Sequence, residues 1–267
     1  MASHDFSFIF YITLFLLFHG NINATYDQVV SPGFSYSGTN DGPGKWGNIN
    51  PAYVKCRTGK TQSPVDIVVN QAVINKSLTS LSTDYFPVNA TLINHKFIIE
   101  LRLGNAGKFN LNGKDYTLTQ MHWHTPSEHR INGVQYGAEA HMVHVAADGS
   151  RAVIGILYKI GKADPLVARM QNKLVELANE QGGDIGVGKF NTKKLGRKTR
   201  KYYRYVGSLT TPPCIEDINW TILGKVRSIS KEQINLLEAP LETTCKTNCR
   251  PLQPLNSRHV EMYDELV

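Results

Sequence analysis

Short runs of β-branched and aromatic residues, separated by turn residues, constrain the fold of this chain more than any other feature. The runs cover residues 97–103, 116–124, 138–146, 153–160, 202–206 and 221–229. Asn-Gly pairs at 112–113 and 132–133 lie between them, and such pairs are typical of tight turns between antiparallel strands. The pattern predicts a mainly β fold with a few short helices, as a single domain around a large, mostly antiparallel central sheet.

Two helices are predicted. The first spans residues 165–181, with Pro165 at its start and Gly182-Gly183 after its end. Its apolar residues recur every three or four positions, at Leu166, Met170, Leu174 and Leu177. The second begins at Ser230, because Gln233 three residues later completes a capping box.

Five of the nine histidines lie within residues 122–144. His122 and His124 are two apart in one predicted strand, so their side chains share a face. His141 lies in the next predicted strand. Three protein ligands with a fourth position open to water are typical of a catalytic zinc site, whereas a structural site would take a fourth ligand, usually Cys. The pattern predicts Zn²⁺ held by these three histidines, with His144 pointing to the opposite face.

Polar neighbours of the same strand faces support that prediction. Gln120 shares the face of His122, and Glu139 shares the face of His141. A histidine ligand usually donates its other ring N–H to a carboxylate, amide or carbonyl. We therefore expect Gln120 and Glu139 to accept hydrogen bonds from the ligands.

The first 24 residues have the pattern of a targeting segment. An apolar run of 13 residues, from Phe6 to Phe18, is too short to span a bilayer comfortably and is followed by a small-residue cleavage site near Ala24. We interpret residues 1–24 as a signal peptide, in preference to a membrane anchor, and residues 25–267 as one secreted domain without stable membrane insertion. Entry to the secretory route predicts an extracellular, apoplastic protein and leaves a plastid reached by that route open.

The mature chain is moderately basic. Loss of residues 1–24 removes one acid, Asp5, and leaves 29 basic against 21 acidic residues, a formal charge of 29 − 21 = +8. Eight basic residues without an acid lie in residues 189–204. No nucleic-acid-binding motif accompanies this run, so we interpret it as a solvated loop and expect no nucleic-acid partner.

Cysteines and glycosylation motifs agree with secretion. An even number of cysteines in a secreted chain suggests disulfides, and three full pairings are possible for Cys56, Cys214, Cys245 and Cys249. Asn-x-Ser/Thr motifs predict glycans at Asn75 and Asn89. A third motif, at Asn219, lies in a strand-like run, where we do not expect a glycan.

Four further motifs occur in order along the chain: QSPVDI at 62–67, SEH at 127–129 followed by EAHMV at 139–143, SLTTPPC at 208–214, and RPLQP at 250–254. From about Trp46 to Arg258 the chain resembles the alpha carbonic anhydrases, most closely the secreted plant members. The resemblance implies zinc bound by His122, His124 and His141, with Gln120 and Glu139 as partners of the ligands. It also implies that the Thr210 hydroxyl accepts a hydrogen bond from zinc-bound hydroxide and donates one to Glu128.

The same resemblance implies the rest of the pocket. Its apolar and substrate-binding residues would be Val143, Val153, Leu209, Thr211 and Trp220. A disulfide would join Cys56 to Cys214, and Tyr36 would line the pocket. His95 would be the proton shuttle, although the family's Asn-x-Gly-His turn is replaced by Asn94-His95-Lys96 without the glycine.

The implied function is the zinc-dependent, reversible hydration of carbon dioxide to bicarbonate and a proton by zinc-hydroxide attack. The alternative is a storage or binding protein on the same scaffold with little catalysis, because plant tubers contain proteins of this kind, some with a ligand histidine replaced. Retention of His141 favours the enzyme, since the predicted metal site is complete.

Overall fold

The computed structural model describes residues 33–179, 183–196 and 199–267. The predicted signal peptide lies outside these ranges, as do the last two residues of the first predicted helix and two residues of the basic run, Arg197 and Lys198. Within the described ranges, no helix has the length and apolar character needed to cross a membrane.

Strands outnumber helices along the described chain. The strands are β1 Asp66–Ile67, β2 Val73–Ile74, β3 Ser82–Tyr85, β4 Val88–Asn94, β5 Ile99–Arg102, β6 Gly107–Leu111, β7 Lys114–His124, β8 Arg130–Ile131, β9 Val134–Gln135, β10 Ala138–Val145, β11 Arg151–Ile160, β12 Asp184–Phe190, β13 Lys201–Ser208, β14 Glu216–Leu223, β15 Arg227–Ile229 and β16 Glu261–Asp264. The α-helices are α1 Trp46–Ile49, α2 Lys55–Thr58, α3 Pro165–Ala168, α4 Gln171–Asn179 and α5 Lys231–Glu238.

Most strands of the described chain belong to one large sheet. Its order is β12-β4-β5-β7-β10-β11-β14-β13-β16-β2. In addition, β15 pairs with β11, β6 pairs with β7 and β3 pairs with β6, while β1, β8 and β9 form a small separate sheet. Most pairs of the large sheet are antiparallel, which confirms the predicted fold class. Three pairs are parallel, β11 with β14, β11 with β15, and β16 with β2, so the sheet is mixed.

Two predicted elements are interrupted. The run 221–229 divides between β14 and β15, because Gly155 pairs with Ile222 but Tyr158 pairs with Arg227. The chain advances five residues from Ile222 to Arg227 while β11 advances only three, from Gly155 to Tyr158. The two extra residues are accommodated by a bend at Gly224, between β14 and β15. The helix predicted at 165–181 is broken at Arg169 and Met170 into α3 and α4.

Other local predictions are confirmed. The four apolar residues spaced along the first helical segment are all buried: Leu166, Met170, Leu174 and Leu177. The helix α5 begins after Ser230, whose side chain accepts a hydrogen bond from the Gln233 backbone while the Gln233 side chain accepts one from the Ser230 backbone.

The sheet separates two cores. On one face of β10, Ala138, Ala140 and Met142 pack in the cluster that includes the helices α3, α4 and α5. On the other face, Val143 packs in a second cluster with Val153 and Trp220. His141 lies on this second face, because side chains alternate along a strand. The central strands, packed on both faces, thus hold the polar side chains of this second face in place.

Candidate metal centre

Three imidazoles meet on the central strands. The antiparallel register places His141 opposite His122, and Glu139 opposite His124, so the side chains of β7 and β10 point to the same side. One nitrogen from each of the three histidines lies within 4.8 Å of the other two. His124 and His141 are buried, whereas His122 is partly exposed and opens the cluster to solvent.

The second nitrogen of each imidazole is occupied. Nδ1 of His122 lies 2.7 Å from Gln120 Oε1, and Nε2 of His141 lies 2.9 Å from Glu139 Oε1, which agrees with the predicted partners. Nδ1 of His124 lies 2.6 Å from the backbone oxygen of Asn248. These acceptors require an N–H on the facing nitrogen, so His122 Nε2, His124 Nε2 and His141 Nδ1 carry free lone pairs.

The donor set fits a zinc ion. His124 Nε2 is buried without a hydrogen-bond partner in the described chain, and two lone-pair nitrogens, His122 Nε2 and His141 Nδ1, face each other at 3.2 Å. Such nitrogens repel unless a cation lies between them. Their separation is close to the roughly 3.3 Å edge of a tetrahedron with Zn–N bonds of about 2.0 Å. Burial lowers the pKa of all three rings, to about 4 for His124, which keeps them neutral for a metal.

Glu128 lies beside this cluster. Its Oε1 accepts a hydrogen bond from the Arg250 backbone at 2.9 Å, and its Oε2 lies 3.4 Å from His124 Nε2. Burial raises the pKa of Glu128 to about 7, although the electrostatic interaction with His141 and the side chain of Thr210 act in the opposite direction. Thr210 is therefore near Glu128, and the roles predicted for these two residues stay predictions.

An apolar wall adjoins the histidines. Val143, Val153 and Trp220 are consecutive partners across β10, β11 and β14, and all three are buried. The Trp220 ring centroid lies 4.7 Å from that of His141. Leu209 packs against this cluster from the segment after β13, and Thr211 in the same segment is half-buried.

The predicted disulfide is confirmed. Cys56 and Cys214 are joined across 158 positions of sequence. The bond anchors the segment that carries Thr210, within which the backbone of Leu209 donates to Ile215 and that of Cys214 to Thr211. In the described structure, Cys245 and Cys249 are free thiols, the first buried and the second partly exposed.

His95 and Tyr36 are both close to the cluster but enclosed. His95 is buried, with its Nε2 at 3.0 Å from Glu100 Oε2, and Glu100 is the cross-strand partner of His122. Its role as a proton shuttle stays a prediction. The Tyr36 hydroxyl is buried with no hydrogen-bond partner among the described residues, and burial together with the charge of Glu128 raises its pKa.

The glycosylation motifs differ in exposure. Asn89 is exposed on β4, whereas Asn75 is half-buried and its side-chain amide donates to Glu261 at 2.8 Å. Asn219 is half-buried within β14. Glycans at Asn75 and Asn89 stay predictions.

Several residues of the site were not predicted. The most important is Asn248, which is buried and whose backbone oxygen contacts His124. Its side chain forms hydrogen bonds with the backbones of Thr125, Phe97 and Trp123. A backbone carbonyl has no signature in sequence, so only the fold reveals it. His129 and Arg250 lie inside motifs that the resemblance used, yet neither was assigned a contact there.

Comparisons with known proteins agree with this geometry. Residues 41–264 match the profile of the family described as eukaryotic-type carbonic anhydrase. The chain is 37% identical to alpha carbonic anhydrase 7 of Arabidopsis thaliana over 98% of both chains. Among solved structures it is similar to dioscorin complexed with ascorbate, with a TM-score of 0.84 and 37% identity over 86% of this chain and 98% of that one. A hyperthermostable carbonic anhydrase from a hydrothermal vent chimney gives a TM-score of 0.78 and 36% identity, over 86% and 100% of the two chains.

Proposed function

Because this chain belongs to the eukaryotic-type carbonic anhydrase family, we propose that it catalyses the reversible hydration of carbon dioxide with a zinc ion held by His122, His124 and His141. The observation that carries the proposal is the set of three converging lone-pair nitrogens whose opposite ring nitrogens are all held by acceptors. Such a set is suited to bind a divalent cation, and the partly exposed His122 leaves a solvent-facing side for water.

Bound zinc would supply a Lewis acid that acidifies a water molecule at neutral pH. The three imidazoles are neutral, so they leave the charge of the ion uncompensated. In the proposed site the Glu128 carboxylate would accept a hydrogen bond from the Thr210 hydroxyl, which would leave the Thr210 oxygen to accept one from the attacking water or hydroxide. This arrangement directs a lone pair of the nucleophile towards the substrate carbon, which is a positioning effect.

Carbon dioxide fits the remaining part of the site because it is small and apolar. Val143, Val153 and Trp220 offer it a dry surface directly beside His141, and Leu209 continues that surface. Thr211 lies at the edge of the same segment. Removal of water from this side strengthens electrostatic interactions in the pocket.

The test is stopped-flow hydration of carbon dioxide by the purified protein, with zinc measured on the same sample. We expect about one zinc per chain, as three protein ligands and one open position define a single site, and inhibition by a sulfonamide, which competes for the open position. His141→Ala should lose both zinc and activity. His259→Gln is the matched control, since His259 is exposed and distant in sequence from the cluster. Retained activity in His141→Ala would refute the ligand assignment.

A second candidate function is storage or binding with little catalysis. The similarity to dioscorin favours it, because the solved structure of that protein is a complex with a small molecule, ascorbate. A wild-type protein that binds zinc stoichiometrically but does not hydrate carbon dioxide above background would support this second candidate and exclude the first.

We also propose that the chain enters the secretory route and is exported. The disulfide supports this, because such bonds form in oxidising compartments. Mass spectrometry of secreted protein should find Thr25 as the first residue and glycans at Asn75 and Asn89. An amino terminus at Met1, without glycans, would contradict the proposal.

A further inference from the structure

A continuous chain of buried hydrogen bonds leads away from the metal side of the sheet. It runs through His141, Glu139, His129, Tyr205, Ser63 and Ser208, and we call these six residues the Tyr205 chain. Glu139 Oε1 contacts His141 at 2.9 Å and His129 Nδ1 at 2.7 Å. His129 Nε2 contacts the Tyr205 hydroxyl at 2.6 Å, and that hydroxyl contacts Ser63 Oγ at 2.8 Å.

The far end of the Tyr205 chain reaches the segment that carries Thr210. The Ser208 backbone donates to Ser63 Oγ at 3.0 Å, and the Ser63 backbone donates to Ser208 Oγ at 2.9 Å. Ser208 also accepts a hydrogen bond from the Trp220 indole through its backbone oxygen. The chain therefore has a metal ligand at one end and the apolar wall and Thr210 segment at the other.

The directions of these hydrogen bonds follow from the available donors. The Glu139 carboxylate can only accept, so His129 donates from Nδ1 and His141 from Nε2. Nε2 of a neutral His129 then accepts from the Tyr205 hydroxyl, and the Tyr205 oxygen accepts the Ser63 proton. Every side-chain donor in this order points towards Glu139. Aligned hydrogen bonds in a dry interior polarise one another, and a fixed Glu139 fixes the tautomer and ring orientation of His141.

The surroundings leave this chain little freedom. All six residues are at most 3% exposed. Gly207 lies against it, because a Cβ there would clash with Ser63 Oγ and would stand 2.7 Å from the Tyr205 ring. A displaced tyrosine hydroxyl would leave His129 Nε2 without a partner and Ser63 Oγ with only the Ser208 backbone N–H, at a site where both residues are fully buried.

We infer that Tyr205 is a positioning residue for the metal centre, which acts through His129 and Glu139 on His141 and ties that ligand, through Ser63, to the segment of Thr210. The inference rests on the proposed zinc site. It goes beyond that site because the Tyr205 hydroxyl contacts His129 and Ser63 and none of the three proposed ligands. Without this effect on His141, a tyrosine in the core of a sheet would contribute to packing alone.

The test compares Tyr205→Phe with Tyr203→Phe. Tyr203 is a buried tyrosine of the same strand and the same apolar cluster, but its hydroxyl is near Lys201 rather than His129. Two quantities are measured, the rate of zinc loss to a chelator and the visible spectrum of the cobalt(II)-substituted protein, which reports ligand geometry. We expect Tyr205→Phe to lose zinc about tenfold faster, at the lower end of the range for outer partners of metal ligands, and to shift the cobalt bands. Tyr203→Phe should change neither.

Ser63→Ala tests the same hydrogen-bond chain from the other side of Tyr205. It replaces Tyr205→Phe in the experiment if that variant does not fold. It should also speed zinc loss, and the double variant Tyr205→Phe/Ser63→Ala should lose zinc no faster than Tyr205→Phe, since both act through one route. Unchanged zinc loss and cobalt spectra in Tyr205→Phe and Ser63→Ala would overturn the inference alone. A wild-type protein that binds zinc but lacks hydration activity would refute the proposed function alone, and one that binds no zinc would overturn both.

Discussion

Glu139→Gln tests how the protein holds its ligands. The carboxylate accepts four hydrogen bonds, at Oε1 from His129 Nδ1 (2.7 Å) and His141 Nε2 (2.9 Å), and at Oε2 from the backbones of His129 (2.8 Å) and Glu128 (3.0 Å). Burial alone would raise its pKa, but electrostatic attraction to His129 and His141, together with the hydrogen bonds that these rings donate, holds that pKa well below its usual range. The group is thus a permanent acceptor, with no proton of its own to donate.

An amide at this position can accept on one side only. Its NH₂ group must face two donors on the other side, so two charge-assisted hydrogen bonds are lost. At about 1.5–3 kcal/mol each, this should lower the free energy of unfolding of the metal-free protein by about 3–6 kcal/mol. Zinc affinity should fall about 10- to 100-fold, because His141 loses its fixed orientation.

Urea unfolding of the metal-free protein and zinc competition with a chelator measure these two effects. Glu216→Gln is the matched control, because Glu216 accepts hydrogen bonds from Thr61 and Gln62 without a histidine partner. A Glu139→Gln protein with the stability and the zinc affinity of the control would refute the argument that four donors converge on a carboxylate here.

Two other predictions use the same strands. Gly155→Ala should weaken zinc binding about tenfold, as expected when the partner of a ligand is displaced. The reason is that a Cβ at this position would stand 2.9 Å from Glu139 Oε1 and 2.6 Å from the Ile222 side chain. Chelator competition measures the zinc affinity, and an affinity equal to that of the control Gly161→Ala would contradict the prediction. His144 is buried, contacts the Tyr85 hydroxyl at 2.7 Å, and has its pKa lowered by burial to about 4. The unfolded chain therefore binds a proton before the folded one does as the pH falls below about 6.5, and between that pH and about 4 His144 should cost about 1.4 kcal/mol of stability per pH unit. Metal-free His144→Gln should show a smaller loss between pH 7 and 5 in urea titrations, and an unchanged pH slope would count against this assignment.

The convergence of the three histidines was predictable from sequence because its signal is local. His122 and His124 share a strand face at a spacing of two residues, and Gln120 continues that face. The register of β7 with β10 then needed only a short connection to place His141 opposite His122. The capping box of α5 is local in the same sense, because Ser230 and Gln233 contact each other directly.

Features that depend on distant pairing were not predictable in the same way. The parallel pairing of β11 with β14 brings Trp220 beside Val153, yet the pattern of either strand is equally compatible with an antiparallel neighbour. The Tyr205 chain draws on Ser63, His129 and Tyr205, whose positions in sequence carry no periodicity. The bend at Gly224 depends on the length of β11 that the partner strand must match.

The contact between Asn248 and His124 has a consequence for biosynthesis. A ribosome completes all three histidines about a hundred residues before it adds Asn248, and the two partners of this hydrogen bond are 124 positions apart. Arg250, which donates to Glu128, follows even later. A nascent chain therefore carries His124 long before it has the backbone oxygen that orients this ring, whereas the acceptors of His122 and His141 are already present. The proposed site therefore has its full set of oriented ligands only after translation has passed Arg250.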